Sequence, residues 1–418
     1  MKPYPKYKLS NIQWLGDIPE HWEVKKLKYI VNGKLEYGAN ESAELEDRSL
    51  PRYIRITDFG NDGKLKEDTF KSLSEEVALG YLLQEGDILF ARSGATVGKT
   101  FQFKNYQGVA CYAGYLIKAS PNSNLALSDF VYYFTKSDIY ENWKNSIFVQ
   151  ATIQNIGADK YNQLELPIPP LPEQTAIAQF LDEKTAQIDT LIAQKQRLIT
   201  LLKEERMAFI NEQFANEDKK WDIRKVSRSF NLIGSGTTPE AGNPQYYQNG
   251  EINWINTGDL NDGLLEFCNK KITKLAFDSF SSLKIYPKGT LLIAMYGATI
   301  GKTSILGIDG CTNQACCALA DSPFFDIKFV FYWFLGNKQA IINLSYGGGQ
   351  PNISQEVIRT LKIPCPPLKT QQKIVESIET TTGKIDATLV KIVQEIELLK
   401  EYRMALISEV VTGKISVV

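Results

Sequence analysis

The chain has 418 residues, of which 43% are hydrophobic and 23% charged, and its formal net charge is −1. This composition is typical of a globular protein with two or three domains, and it provides no overall basic surface. His21 is the only histidine and the six cysteines form no CxxC pair, so we expect neither a metal site nor duplicated Ser-His or Cys-His catalytic sites. Without a run of about 18 apolar residues or a leader-like start, a cytoplasmic protein is expected.

Short apolar segments bounded by turn residues are typical of strands. These segments are YIRI (53–56), DILFA (87–91), INWI (252–255) and TLLIA (290–294). Two aromatic-rich segments, 129–143 and 327–341, have the pattern of helices whose stripes lie in a core. The sequence therefore predicts an α+β fold built from mixed α and β modules.

A proline-rich segment ends each module and precedes a long helical pattern. LELPIPPLPEQ (164–174) and LKIPCPPLKTQ (361–371) are each followed by about 44 residues with apolar residues in heptads. We predict two helices of roughly 65 Å that pair as an antiparallel coiled coil within the chain, the alternative being an oligomerisation stalk. Lys195 interrupts the first seam. The seam residues are Leu181, Ile188, Ile192, Ile199, Leu202, Ile378, Ile385, Leu389, Ile392, Ile396 and Leu399.

The two halves of the chain repeat one another. SGATVGKT (93–100) matches YGATIGKT (296–303), and three further pairs of motifs share one spacing of 197 positions (155 to 352, 169 to 366, 206 to 403). A repeat of this length indicates two homologous modules with similar but non-identical sites. The predicted domains are a first recognition module (1–165), a first helix (166–215), a second module (216–363), and a second helix with a C-terminal tail (364–418).

The repeated loop nearly matches the phosphate-binding pattern G-x-x-x-x-G-K-[ST], but Ser93 and Tyr296 replace its first glycine. The residues that follow are also not the helix start that a phosphate needs, so an ATPase is rejected. Small residues would let the backbone approach DNA while Lys99 and Lys302 contact phosphates. A purely structural turn remains an open alternative. Asn243-Pro244-Gln245-Tyr246 resembles an adenine-flipping motif but lacks a methyl-donor loop, so no catalytic residue is assigned.

Polar residues recur in loops of both modules. Arginine, asparagine and glutamine have the fork or amide geometry that reads base edges, although each alone is more often a solvated or turn residue. The candidate DNA-binding residues are Arg52, Arg55, Arg92, Ser93, Thr96, Lys99, Gln154 and Asn155 in the first module, and Asn256, Tyr296, Thr299, Lys302, Gln350 and Asn352 in the second.

As a set, several motifs make the chain resemble a specificity subunit of a type I restriction–modification system. They are WLGDIPEHWEVKKLK (14–28), GSGTTPEAGNPQYYQNGEINWINTGDL (234–260), the tandem GAT[VI]GKT loops, GGGQPNIS (347–354), the two proline-rich segments and VVTGKI (410–415). Thr370 departs from the acidic residue that Glu173 supplies in the first proline-rich segment.

The resemblance implies two target recognition domains related by a pseudo-twofold axis, each reading one half of a bipartite, asymmetric sequence in double-stranded DNA. Two methyltransferase subunits would dock on the helices, with the seam residues given above as the candidate subunit interface. Two motor-nuclease (restriction and translocation) subunits would complete the complex. The specificity subunit would have no chemistry and no cofactor of its own; S-adenosylmethionine, ATP and Mg²⁺ would belong to the partner subunits. The alternative is a coiled-coil scaffold that binds no DNA, while the missing catalytic motifs disfavour a self-sufficient restriction enzyme.

Overall fold

The computed structural model describes residues 2–12, 14–60, 63–148, 155–215, 221–344 and 352–417. The chain divides into two compact units: Met1–Lys195 with Gln394–Val418, and Gln196–Val393. Each unit contains a mixed domain of strands and short helices together with part of both long helices. The predicted α+β class is confirmed.

In the described residues of the first unit, ten strands and four short α-helices precede the first long helix. The strands are β1 (Tyr7–Leu9), β2 (Asp17–Pro19), β3 (Glu23–Lys26), β4 (Glu36–Tyr37), β5 (Arg52–Ile54), β6 (Ile88–Ala91), β7 (Thr100–Gln102), β8 (Ala110–Tyr112), β9 (Leu116–Ala119) and β10 (Glu165–Ile168). The short helices are α1 (Glu75–Ala78), α2 (Ser128–Phe134), α3 (Asp138–Phe148) and α4 (Ala158–Tyr161), and the long helix α5 spans Leu171–Phe214.

The second unit repeats this plan. Its strands are β11 (Asp222–Lys225), β12 (Leu232–Gly234), β13 (Ile252–Ile255), β14 (Gly263–Leu265), β15 (Lys271–Ile272), β16 (Leu291–Ala294), β17 (Thr303–Leu306), β18 (Cys311–Thr312), β19 (Cys316–Ala320) and β20 (Lys362–Cys365). Its helices are α6 (Lys274–Ser279), α7 (Ile327–Gly336), α8 (Lys338–Ile342) and α9 (Gln355–Thr360), followed by the long helix α10 (Leu368–Val411).

The main sheets of the two units share a central order. The first unit has β4-β9-β6-β7, all antiparallel, and the second has β12-β19-β16-β17 in the same antiparallel order with β14 added in parallel at the edge. A smaller parallel pair accompanies each, β5 with β8 and β13 with β18. The duplication seen in the sequence is therefore a duplication of topology.

The central strands β6 and β16 are buried on both faces. In β6, Ile88 and Phe90 face one apolar cluster, which includes α2, while Leu89 and Ala91 face another. Strand β16 divides its residues between two clusters in the same way. A strand covered on both sides needs a continuous apolar run rather than alternation, which explains the DILFA and TLLIA segments.

The two long helices, each 44 residues, begin inside the proline-rich segments. Pro172 lies in the first turn of α5. Backbone N–H groups there have no acceptor within the helix, so a proline costs no hydrogen bond. In the first unit Arg403 of α10 forms an ion pair with Asp189 of α5 (2.9 Å), and in the second unit Arg206 pairs with Asp386 (3.0 Å). Lys195, which interrupts the predicted seam, is paired with Glu395. In each unit the helix segments are thus antiparallel, as predicted.

In the part of the chain described here, neither α5 nor α10 nor any shorter helix has a stretch apolar enough for a membrane span. Within the same residues, no group of histidine, cysteine and acidic side chains is arranged to hold a metal ion.

Candidate nucleic-acid interface

The repeated GAT[VI]GKT segment is a tight hairpin loop in both units, joining β6 to β7 and β16 to β17. Both loops have the same backbone hydrogen bonds: the N–H of Gly98 donates to Ala91 O (2.8 Å) and that of Ala91 to Lys99 O (2.8 Å), while the N–H of Gly301 donates to Ala294 O (2.9 Å) and that of Ala294 to Lys302 O (2.8 Å). The two loops therefore share one backbone hydrogen-bond pattern, which we call the backbone frame.

The glycines of this loop are required by its conformation. Gly94 and Gly98 have φ angles of 78°, and Gly297 and Gly301 have φ angles of 80° and 75°, all in the left-handed region. Side chains with a Cβ are strained there. The motif thus encodes a sharp turn between antiparallel strands rather than a cradle at a helix N-terminus.

A second repeated motif meets the loop in each unit. Asn155 forms an antiparallel bridge with Ser93, and Asn352 forms the same bridge with Tyr296. The next residue continues the pairing, because the N–H of Ile156 donates to Arg92 O at 2.9 Å. Two motifs that are far apart in sequence therefore form one surface, and Asn155 and Asn352 are exposed on it.

A third segment, the turn before β9 or β19, is hydrogen-bonded to the residue at the start of the loop. The N–H of Arg92 donates to Tyr115 O (3.0 Å), and the N–H of Met295 donates to Ala315 O (2.8 Å). We call the loop, this turn and the Asn155 or Asn352 segment together the loop cluster of each unit.

The loop lysines differ in exposure. Lys99 is exposed and Lys302 is half-buried, and the N–H of each donates to the carbonyl of Thr96 or Thr299 at 2.9 Å. Both threonines are half-buried. Each lysine therefore places one positive charge at the end of the hairpin, where a phosphate could approach.

Arg52 is not available to read DNA, contrary to expectation. Its side chain is 1% exposed, its guanidinium pairs with Glu67 (3.3 Å) and donates to the carbonyl of Lys66, and it lies over the rings of Phe70 and Tyr106. Burial of an arginine requires such partners, and they use the groups that a base would need. We remove Arg52 from the candidate interface.

Two other predicted readers are engaged internally. Arg55 makes a forked pair with the buried Asp58 and also donates to Thr69 O at 2.8 Å. The amide of Asn256 donates to Trp254 O (3.1 Å) and accepts from Asn313 (3.1 Å). These side chains stabilise loops and have few groups left for DNA. The remaining two predicted amides, Gln154 and Gln350, lie outside the described residues.

Sequence reasoning missed four side chains that lie in the loop clusters or next to them. Tyr115 is exposed beside Arg92, and the central carbon of the Arg92 guanidinium lies 5.1 Å from the centroid of the Tyr37 ring. In the second unit, Thr238 donates to the side-chain oxygen of Gln314 at 2.6 Å, and both residues are exposed. A signal was available for Tyr115 and Gln314, because CYAGY (111–115) and CTNQA (311–315) occupy matching places in the repeat.

The predicted subunit interface also needs correction. The seam residues are buried or half-buried within this single chain, for example Ile392 and Ile396 at 5% exposure, so they pack inside the molecule instead of facing a partner. Other apolar residues of the two long helices are at least 40% exposed: Leu191, Leu198, Leu201, Val390, Val393, Leu398, Tyr402 and Met404.

Comparisons with known proteins agree with this architecture. The family described as "Type I restriction modification DNA specificity domain" matches the chain twice, at residues 19–201 and 218–398. The chain is 24% identical to the putative type I restriction enzyme MjaX specificity subunit of Methanocaldococcus jannaschii over 98% of each chain. It is 23% identical to the EcoKI specificity subunit of Escherichia coli K12, over 87% of this chain and 82% of the relative.

Two solved structures share the fold. One comes from work on complex assembly and conformational transition of the type I R-M system, with a TM-score of 0.78 and 15% identity over 95% of this chain and 99% of that one. The other, the HsdS subunit from Thermoanaerobacter tengcongensis, has a TM-score of 0.58 and 15% identity over 95% and 98% of the two chains. The chain therefore belongs to the type I restriction–modification DNA specificity family, and it is a specificity subunit that recognises DNA sequence through two copies of the family's domain.

Proposed function

We propose that each unit reads one half of a bipartite, asymmetric sequence in double-stranded DNA through its loop cluster. The observation that carries this proposal is one backbone frame with different side chains. Arg92, Ser93 and Tyr115 in the first unit correspond to Met295, Tyr296 and Ala315 in the second, on the same hydrogen bonds. Equal frames with unequal side chains suit two readers of different base sequences. The lysines common to both loops suit phosphates, which carry no sequence information.

The exposed apolar residues of the long helices are the proposed docking surface for two methyltransferase subunits. Leu198 and Leu201 are three residues apart, so they share a face of α5, and Val390 with Val393 forms a similar face on α10. Apolar residues that remain exposed on a helix whose seam is already filled are typical of a protein interface. Two motor-nuclease subunits would complete the restriction complex.

In this proposal the chain is not a catalyst. S-adenosylmethionine, ATP and Mg²⁺ would be bound by the partner subunits, and the role of this chain is to select the sequence at which they act. A methyltransferase that acts on an adenine inside the duplex would have to flip the base out of the stack. In this proposal the specificity chain determines the sequence at which that happens.

The test is an exchange of one recognition domain. Residues 22–165 are replaced by the equivalent domain of another specificity subunit, the chain is co-expressed with its methyltransferase, and methylated sequences are mapped across the genome. We expect one half of the methylated sequence to change and the other to stay the same. The matched exchange of residues 221–363 should alter the other half. Changes in both halves after a single exchange would contradict independent reading, and a chain without any associated methylation or duplex binding would favour the scaffold alternative.

A further inference from the structure

The two loop clusters differ in charge at the position of Arg92. Its backbone position is that of Met295 in the second unit, with the same hydrogen bond to the neighbouring turn. Met295 is 5% exposed and belongs to an apolar core cluster, whereas Arg92 is half-buried. The same backbone position therefore carries an apolar core side chain, Met295, in the second unit and a cation with five N–H donors, Arg92, in the first.

The guanidinium of Arg92 is held by an aromatic ring. Its central carbon lies 5.1 Å from the centroid of the Tyr37 ring. The ring is fixed in turn, because the Tyr37 hydroxyl accepts a hydrogen bond from the N–H of Ala158 at 2.9 Å. This cation–π contact restricts the positions that the guanidinium occupies, so less conformational entropy is lost when it binds a partner.

The donors of Arg92 are not used elsewhere in the described part of the chain. Arg52 and Arg55 pair with Glu67 and Asp58, but no carboxylate there lies within ion-pair distance of Arg92. Arg92 also lies beside Asn155 and Tyr115, which are exposed. It is therefore an oriented fork of donors at the surface of the loop cluster.

A planar fork of N–H donors matches two acceptors on one base edge. Guanine offers O6 and N7 side by side in the major groove, whereas adenine places a donor at the first of these positions. An arginine fork also fits two oxygens of a phosphate, so its shape alone does not identify the partner. A phosphate contact carries no sequence information and is expected in both units, as for Lys99 and Lys302. Arg92 has Met295 as its counterpart in the second unit, and this difference favours a base over a phosphate.

We propose that Arg92 is the guanine-reading residue of the first unit, with Tyr37 as its positioning residue. This inference rests on the proposed function and narrows it, because the half-site read by the first unit must contain a G·C pair that depends on Arg92. The second unit cannot make this contact from the matching position, because the side chain of Met295 has no hydrogen-bond donor.

The experiment uses the complete methyltransferase complex and compares Arg92→Lys with Arg92→Gln. Arg92→Lys keeps the charge and removes the fork. We expect both variants to lose about 5- to 150-fold discrimination at one G·C pair of the first unit's half-site, while the other half-site is unchanged. The readouts are the methylated sequences across the genome and duplex affinities for all four bases at that position. Unfolding midpoints equal to that of the parent chain show that the variants fold.

Two further variants separate positioning from structure. Tyr37→Leu removes the ring and should reduce discrimination at the same base pair, and Tyr37→Phe, which keeps the ring, should restore most of it. The salt dependence of binding should stay unchanged in both, as no phosphate contact is lost. If Tyr37→Leu weakened binding equally for all sequences, the ring would have only a structural role.

Failure of this inference is distinct from failure of the proposed function. If the parent complex methylates a bipartite sequence and Arg92→Lys reads it with unchanged discrimination, Arg92 does not read guanine and the inference is overturned. The same holds if the half-site that changes on exchange of residues 22–165 contains no G·C pair. A parent complex with no methylated sequence, or one in which both halves change together, overturns the proposed function instead.

Discussion

Gly38 lies so close to Tyr112 that a Cβ on the glycine would come within 2.2 Å of the Tyr112 carbonyl oxygen. Gly236 has the same relationship with Thr312 in the second unit, at 1.8 Å. Both glycines have ordinary φ angles, so they are needed for close approach rather than for a left-handed turn. The segment after β4 or β12 is thereby fixed against the turn of the loop cluster.

Gly38→Ala and Gly236→Ala should therefore disturb the loop cluster of the affected unit. The backbone must move to admit the methyl group, which should lower the free energy of unfolding by about 1–3 kcal/mol. Chemical denaturation of the full chain and duplex binding by the assembled complex provide the measurements. Gly80→Ala and Gly258→Ala are matched controls, because an added Cβ meets no atom within 4 Å at either position. If the Gly38 and Gly236 variants were as stable as the Gly80 and Gly258 controls, the close approach of the backbone would not require glycine.

Lys99→Ala and Lys302→Ala should weaken duplex binding to the same extent for all sequences. If each lysine neutralises one phosphate, each substitution lowers the slope of log affinity against log salt by about 0.9. Titrations of the methyltransferase complex at several salt concentrations measure this slope. Lys288→Ala is a suitable control. Lys288 is an exposed lysine just before β16, so it lies at the opposite end of that strand from the loop that contains Lys302. A change of base preference at one position would instead make the lysine a reader.

Adjacent residues of α10 separate the helix seam from the proposed docking surface. Ile392 is 5% exposed and Val393 is 50% exposed. Ile392→Ala should lower the free energy of unfolding by about 2–5 kcal/mol, and Val393→Ala by less than about 0.5 kcal/mol. Val393→Glu and Leu198→Glu should weaken assembly with the methyltransferase subunit while leaving the unfolding midpoint near that of the parent. Full assembly of both glutamate variants would place the docking surface elsewhere.

The buried cysteines predict a loss of stability at alkaline pH. Burial raises the pKa of Cys111, Cys311 and Cys317 to about 12, from an ordinary value near 9. Because the unfolded thiols lose their protons first, their contribution to stability is complete below about pH 9 and is lost progressively up to about pH 12. Denaturant midpoints measured against pH should fall in this window, less so in Cys311→Ala. A thiol reagent at about pH 8 should react with these cysteines only after unfolding, and rapid reaction of the folded chain would contradict their burial.

Local pattern was enough for the long helices and the central strands. The heptads that follow the proline-rich segments predicted α5 and α10, because a continuous apolar seam forces one helical period over many turns. The DILFA and TLLIA runs became β6 and β16. The motifs that recur in the two halves of the sequence indicated two similar units.

Other features depended on residues that are distant in sequence. Arg52 looked like an exposed reader, yet its burial is decided by Glu67, Phe70 and Tyr106, which no local pattern connects to it. Heptads marked the apolar residues of the helices, but only the packed chain separates Ile392, which is covered, from Val393, which is not.

The sequence alone was enough to exclude a nucleotide-binding loop, because Ser93 and Tyr296 replace its first glycine. The repeated motifs and the matched helices were enough to indicate two homologous modules. The convergence of the loop with Asn155, Tyr115 and Tyr37 was decided by tertiary structure alone. The physical reason is that a hairpin and its glycines follow from local backbone preferences, whereas a surface that reads DNA is assembled from segments brought together by strand pairing and burial.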